Sequence, residues 1–398
     1  MRLKRSLVVG ANGGASFGLG GGAYIAARIV ETLSESPDSE VGIVSLWGAR
    51  PEVMVQDLGV RLPLSRIKSF FLFESSKPQE PSVGHILTPY TGAVLFSILR
   101  ILARAIRTFD PQLIVFNDDI PRLVETLNGG RTSALYANFP YACRRSIQRD
   151  ALESRSMTRT LSEGLARPFM KRLFEMEKLC VDRTMANSSV TKRHMMEVFD
   201  QQDIAVVHAP VDIVINNGVE KTNLVVALGP IQPNKRFAEI IRAMKLVKSD
   251  CRLLILGLLR DRLYYSSLVS LIKHEGLENR VSVLPSVPRD TIRKFLDEAS
   301  VIVHAARFEP FGTSVVEGMA AGAVPVVYAG SNSGPWLDII EQGRYGFGFE
   351  DPIGLADHIT NLLDHSSLRH EYSEIARTRS TFFSPSSFSE RFLNVLES

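Results

Sequence analysis

The sequence predicts an α/β protein built from two Rossmann-like domains that face each other across a cleft. Apolar runs of strand length recur through the second half, at 223–228, 252–256, 281–284, 301–304 and 325–328. Helical stretches separate them, and the same alternation returns less regularly in the first half. Runs that are continuous rather than alternating mean strands covered on both faces, which is a parallel sheet flanked by helices.

In chain order, residues 7–9 read as a strand leading into a glycine-rich turn and a helix from about Gly22 to Leu33. Further strands are expected at 41–46, 113–116, 134–136 and 184–186, while the proline- and serine-dotted stretch 61–89 reads as loop with short elements. His208-Ala209-Pro210 and Asn216-Asn217-Gly218 mark a change of unit. The predicted organisation is a domain over 1–205, a second over 206–375, and a C-terminal helical segment, 376–398, that crosses back to the first. In the second domain, Phe237, Ile240, Ile241, Met244 and Val247 recur at helical spacing and predict a helix over 237–248.

Composition excludes several classes. The 398 residues are 45% hydrophobic and 22% charged, enough for full cores and unlike a disordered or fibrous chain. A net charge of +3 does not point to nucleic acid. Between Arg131 and Arg193 there are 13 basic against 6 acidic side chains, a face suited to an anionic surface or simply to water. Cys143, Cys180 and Cys251 form no CxxC, so neither a disulfide framework nor a zinc site is expected, and a reducing compartment fits. Arg2, Lys4 and Arg5 precede the uncharged stretch Ser6 to Ala27, but its 7 glycines argue against a leader or a membrane helix. A soluble or peripheral chain is expected.

Glu309-Pro310-Phe311-Gly312-Thr313-Ser314-Val315-Val316-Glu317 follows a strand and opens a helix. Retaining glycosidases hold two carboxyls about 5–5.5 Å apart. Eight helical residues rise about 12 Å, so Glu309 and Glu317 more naturally grip different parts of one long ligand. The amides around Gly312 and Thr313, at a helix start, favour phosphate. Lys235 ends the turn 229–234 and begins a helix, where an ammonium can meet a diphosphate. Gly20, Gly21 and Gly22 end a loop whose backbone can approach an anion closely. The dinucleotide fingerprint G-x-G-x-x-G fails, because the run from Gly18 ends at Ala23.

Glu309 to Glu317 resembles the E-x7-E element of retaining GT-B glycosyltransferases of family 4. Ala320-Ala321-Gly322-Ala323-Val324-Pro325, Asn332-Ser333-Gly334-Pro335, Ala186 to Lys192 and Pro210-Val211-Asp212 resemble the same family. Asn187–Lys192 and Gly334–Ile339 look most like its dolichol-linked-oligosaccharide α-1,2-mannosyltransferase branch. The resemblance implies that Glu309 contacts donor sugar hydroxyls, Glu317 holds the ribose, and Lys235 neutralises the leaving phosphates. It sets Phe311, Gly312, Thr313 and the glycine loop beside the donor, and Ser286 and Val287 beside the nucleotide base. Family members usually add an arginine on the Lys235 turn. Here Pro230 and Gln232 stand on that turn, and Arg236 is the candidate substitute. Asn138 occupies the place of a histidine that contacts the transferred sugar. His304 reads as a satisfied buried histidine.

The reaction so implied is transfer of mannose, with retention, from GDP-mannose to a polyprenyl-diphosphate-linked glycan at the cytoplasmic membrane face. No metal, cofactor or nucleic acid is expected. Phe70 to Phe73 beside Arg66 and Lys68, and Arg100, Arg104 and Arg107 on one helix, suit peripheral docking to an anionic membrane; an amphipathic helix covering the sheet explains the arginine row equally well. Two alternatives stay open at this point: an enzyme with a soluble sugar or sugar-phosphate acceptor, and an inactive sugar-nucleotide-binding subunit.

Overall fold

The computed structural model describes residues 4–10, 21–45, 51–71, 92–118, 129–140, 143, 179–215 and 218–398. Gly20, Leu72, Phe73 and most of the basic stretch before Asp182 lie outside the described residues. The chain divides into two compact units. One gathers the residues up to Asn187 with Thr191–Ala209 and Phe388–Ser398; the other comprises Ser188–Val190 and Pro210–Ser387.

The first unit is a parallel sheet of β1 (Arg5–Gly10), β2 (Glu40–Val44), β3 (Ile67–Phe70), β4 (Leu113–Asn117), β5 (Thr132–Ala137), β6 (Arg183–Ala186) and β7 (Ala205–Val206). Their order is β3-β2-β1-β4-β5-β6-β7. Its described helices are α1 (Gly21–Ser34), α2 (Pro51–Leu58), α3 (Gly92–Phe109) and α4 (Ser189–Phe199). Strand β3 is a short element within the 61–89 stretch, and two-residue β7 is too short to leave a periodic signal.

Helix α3 resolves the reading of its arginines. Ile101, Leu102, Ala105, Ile106 and Phe109 are buried, while Arg100, Arg104 and Arg107 are exposed. Over residues 99–109, therefore, the buried apolar side chains pack inward and the three arginines face outward. Phe70 packs edge-on against Phe109, with ring centroids 6.0 Å apart. Arg66 donates to the carbonyls of Ser34 and Ser39 at 3.2 and 2.9 Å, closing the end of α1. Both residues thus have structural work in the fold.

The second unit is a parallel sheet of β8 (Thr222–Leu228), β9 (Arg252–Gly257), β10 (Val281–Pro285), β11 (Ala299–His304), β12 (Val324–Tyr328) and β13 (Phe347–Phe349), in the order β10-β9-β8-β11-β12-β13. Around it run α5 (Phe237–Leu246), α6 (Arg262–His274), α7 (Arg289–Glu298), α8 (Thr313–Ala320), α9 (Pro352–Asp364) and α10 (Ser366–Ser380). The strand order reverses between β8 and β11, and in such sheets ligands bind beyond the carboxyl ends of the strands flanking that point.

Helix α5 shows why these residues fold as they do. Phe237, Ile240, Ile241 and Met244 are all buried, and each contributes about 1.5–3 kcal/mol by leaving water. The helix ends at Leu246, two residues before the expected Lys248, because Val247 takes an extended conformation (φ −66°, ψ 121°). Helix α6 is capped by Asp261, whose carboxylate accepts the Tyr264 N–H at 2.9 Å.

The last helix, α11 (Pro385–Glu397), buries Phe388 and Phe392. Their rings meet Tyr136 at 5.6 and 6.4 Å, and the Tyr136 hydroxyl donates to the Val207 carbonyl at 2.9 Å. Residues 376–387 stay with the second unit. Among the described residues, no helix is long and apolar enough to cross a membrane.

Candidate active site

The reversal point of the second sheet opens into a cavity of about 630 Å³. Strand β8 delivers Leu228, Gly229 and Pro230 to it, and the turn after them delivers Lys235. Beyond β11, the loop and the start of α8 deliver Glu309, Gly312, Thr313, Ser314 and Glu317. Helix α7 contributes Arg289 and Arg293.

The loop carrying Glu309 is pinned by backbone pairing. The Glu309 N–H donates to the Asn332 carbonyl at 3.0 Å, and the Gly334 N–H donates to the Glu309 carbonyl at 2.8 Å. This approach explains two glycines. A Cβ on Gly334 would stand 2.1 Å from the Pro310 carbonyl oxygen, and one on Gly312 would stand 2.6 Å from Pro335 Cγ. Gly312 also has φ +96°, a conformation that strains any side chain. Gly334→Ala is therefore expected to push the two loops apart, at a cost of about 1–3 kcal/mol. Calorimetry should show a lowered Tm, and an unchanged Tm would contradict this account of the loop.

Helix α8 begins directly at this loop, with no acidic residue in its first turn and no side chain capping its N-terminus. Gly312, Thr313 and Ser314, at this helix start, line the cavity, and unpaired amides with the positive end of a helix dipole suit an anion.

The charged groups are coupled. Lys235 Nζ donates to Glu309 Oε2, 74 residues along the chain, and the two side chains are only 15% and 16% exposed. His304 Nε2 lies 3.2 Å from the same oxygen. Burial pushes the Glu309 carboxyl up, but the Lys235 ammonium and the His304 hydrogen bond outweigh it and hold the carboxyl well below the usual range. Burial pushes His304 down, only partly opposed by its hydrogen bond to Glu309. The pair is thus an ionised glutamate and a neutral imidazole.

Glu317 behaves in the opposite way. Burial raises its carboxyl above the ordinary 4.5; Arg289 and Arg293 lower it, and Asp212 adds to the rise. Arg289 Nη2 reaches Glu317 Oε1 at 3.4 Å from a largely exposed position, so that pair is weak.

Lys235, Glu309, Gly312, Thr313 and Glu317 thus share one cavity. Arg236 lies outside that lining, and its guanidinium pairs with Glu239. Phe311 is buried, edge-on to Phe383 at 5.5 Å. Ser286, with φ +55°, and Val287 follow β10 outside the lining. Sequence reasoning missed Arg289 and Arg293; their i, i+4 spacing after Pro288 was the available signal. Among the described residues, no group of three or more His, Cys, Asp or Glu is placed to hold a metal ion.

Asn138 and Gly22 belong to the first unit, where they form a separate polar knot at the reversal between β1 and β4. Asn138 Nδ2 donates to Asn117 Oδ1 at 3.0 Å, and Asn117 Nδ2 donates to the Gly22 carbonyl at 3.2 Å. Asp118 Oδ1 accepts the N–H groups of Asn138 and Phe139 at 3.0 and 2.7 Å. Gly21 opens α1 beside Gly22.

Residues 211–379 match the family described as Glycosyl transferases group 1. That segment is what is similar to the group 1 glycosyl transferases. It contains every member of the cavity named above except Ser384 and Pro385, which also line it. A Dictyostelium discoideum protein named "GDP-Man:Man(3)GlcNAc(2)-PP-Dol alpha-1,2-mannosyltransferase" is 25% identical over 68% of this chain and 60% of its own length. The human protein of that name is 29% identical over 55% of this chain and 49% of its own. The chain therefore spans about half to three-fifths of these two relatives.

Solved structures agree on the fold. Anabaena Alr3699/HepE in complex with UDP and glucose superposes with a TM-score of 0.64 at 15% identity, covering 99% of both chains. Sucrose-phosphate synthase from Thermosynechococcus elongatus gives 0.69 at 14% identity, over 99% of this chain and 98% of that one. The fold is that of the GT-B glycosyltransferases.

Proposed function

We propose that the protein is a retaining glycosyltransferase that moves mannose from GDP-mannose to a polyprenyl-diphosphate-linked glycan. One observation carries the reading: a cation, an anion-binding helix start and two carboxylates of opposite electrostatic character line a single cavity large enough for a sugar nucleotide. The relatives' names supply the donor and the acceptor class. An α linkage made from an α-configured donor is a transfer with retention.

The chemistry follows from the residues. The diphosphate sits against the α8 amides and Lys235, which has three donors and can serve both Glu309 and a phosphate oxygen. As the sugar–phosphate bond breaks, negative charge grows on the leaving diphosphate, and these donors are already aimed at it. Glu309 accepts sugar hydroxyls and Glu317 the ribose hydroxyls. The departing phosphate takes the proton from the acceptor hydroxyl on the same face, so no titrating side chain is needed where Asn138 stands. No metal ion or cofactor takes part in this scheme.

The test is thermal stability with GDP, UDP and ADP. A ligand that binds only the native state adds about 2.7 kcal/mol at roughly a hundred times its Kd. A GDP-selective rise is expected. A UDP-selective rise would move the donor to another sugar nucleotide, and no response would overturn the reading.

The Glu317 environment sets a pH dependence. Only the ionised carboxylate accepts two ribose hydroxyls, and burial makes protonation easier, so GDP affinity should fall on acidification with a midpoint above the ordinary glutamate range. The same shift means that ionised Glu317 costs the free protein stability once the pH exceeds its folded pKa. Glu317→Gln should therefore raise the Tm of the nucleotide-free protein at neutral pH, weaken GDP binding, and remove the carboxylate's part of the acid limb. Calorimetric titrations across about pH 5 to 8 check both signs.

Peripheral membrane contact at the cytoplasmic face is part of the proposal. The exposed Arg100, Arg104 and Arg107 of α3 support it. Salt-sensitive co-sedimentation with anionic liposomes, lost on their replacement by glutamine, is the expected result; wild-type protein that stays in the supernatant would remove this part.

A further inference from the structure

We infer that His304 is a positioning residue, which aims the Glu309 carboxylate at the donor sugar by donating its Nε2–H to Oε2. The inference rests on the glycosyl-transfer reading and deepens it.

The geometry begins in the sheet. His304 is the last residue of β11, a strand paired with β8 on one side and β12 on the other, and His304 itself sits opposite Val327. Its backbone is therefore held in the interior of the sheet, and its side chain is only 4% exposed. Glu309 stands on a loop, where main-chain pairing to Asn332 and Gly334 fixes the backbone but leaves the side-chain torsions free. The 3.2 Å contact from Nε2 to Oε2 links that loop carboxylate to the rigid strand. Groups built on strands hold a site more closely than groups on loops.

The hydrogen-bond chemistry allows one assignment. An ionised carboxylate only accepts, so Nε2 must carry the proton, and a neutral ring then leaves its lone pair on Nδ1. His304 and Lys235 both address Oε2. Oε1 is left as the oxygen available to sugar hydroxyls, with the carboxylate plane fixed by two donors from different elements. Lys235 alone cannot fix it, because its flexible ammonium must also serve the diphosphate.

The experiment compares His304→Leu, which keeps bulk without a donor, with His304→Gln, whose amide reaches about as far as Nε2. The probes are GDP and GDP-mannose, read by binding and by the rate of mannose release from GDP-mannose. His304→Leu is expected to bind GDP within about twofold of wild type and to lose about 10- to 100-fold in kcat. His304→Gln should recover most of that loss.

Wild-type kcat in His304→Leu would overturn the inference. So would equal losses in both variants with GDP binding intact, because packing rather than donation would then be at work. Loss of GDP binding in both would point to a purely structural role and overturn it as well. Wild-type protein that binds GDP but not GDP-mannose overturns the donor reading itself, and the inference with it.

Discussion

Glu309→Gln is expected to lower sugar transfer by at least about 10²-fold in kcat while leaving GDP affinity within a few-fold. The amide keeps the size of the side chain and loses the charge. Three changes follow: Oε2 no longer carries charge to hold the Lys235 ammonium, it no longer draws in the His304 Nε2–H as strongly, and the sugar loses an ionised acceptor at Oε1. The Glu309 carboxyl is held below the ordinary range, so its pairing contributes stability that is fully present above about pH 4.5, the unfolded value, and is lost only in strong acid. Glu309→Gln should therefore also lower the Tm, since Lys235 is left without its partner at a mostly buried site. Turnover measured well below that Tm, beside a GDP titration, separates the two effects. Transfer near the wild-type rate would contradict the assignment.

Lys235→Met carries the second large effect. Among the described residues, Lys235 is the one cation that lines the cavity from the turn after β8. Removing it takes away charge that gains value as the diphosphate departs, and a loss of about 10²- to 10³-fold in kcat is expected. GDP itself carries the diphosphate, so its affinity should fall too, in contrast to Glu309→Gln. A variant that keeps GDP affinity but loses turnover would place Lys235 on the sugar rather than on the phosphates. Both substitutions made together should cost less than the sum, because each single change leaves the other group's charge uncompensated.

The two halves of the chain differ in how plainly their residues announce the fold. In the second unit the strands are uninterrupted apolar runs, and α5 repeats its buried residues so regularly that only its last turn was misplaced. In the first, β3 lies among prolines and serines, and β7 is two residues long. Neither can carry a period. Strand order was beyond reach, because an apolar run does not say which neighbour it will pair with.

The site shows the same division. Glu309, Glu317 and Lys235 stand in motifs whose resemblance to a known family points to a sugar nucleotide. Their electrostatic character does not follow from spacing: one glutamate is held ionised by a lysine and a histidine, and the other is pushed the opposite way by burial. Gly334 illustrates the gap most clearly. Its need for no side chain comes from the Pro310 carbonyl, which only the folded loops bring against it. His304 was visible as a buried histidine, but its partner five residues on depends on how that loop doubles back toward Asn332.

The measurement that tests the central claim most directly is transfer itself: purified protein incubated with GDP-mannose and the Man(3)GlcNAc(2)-PP-dolichol acceptor named for the relatives. The account predicts an acceptor heavier by hexose units, with the added mannose released by an α-1,2-mannosidase and product formation slowed at least about 10²-fold in Glu309→Gln. An unchanged acceptor, from wild-type protein that binds GDP, would contradict it.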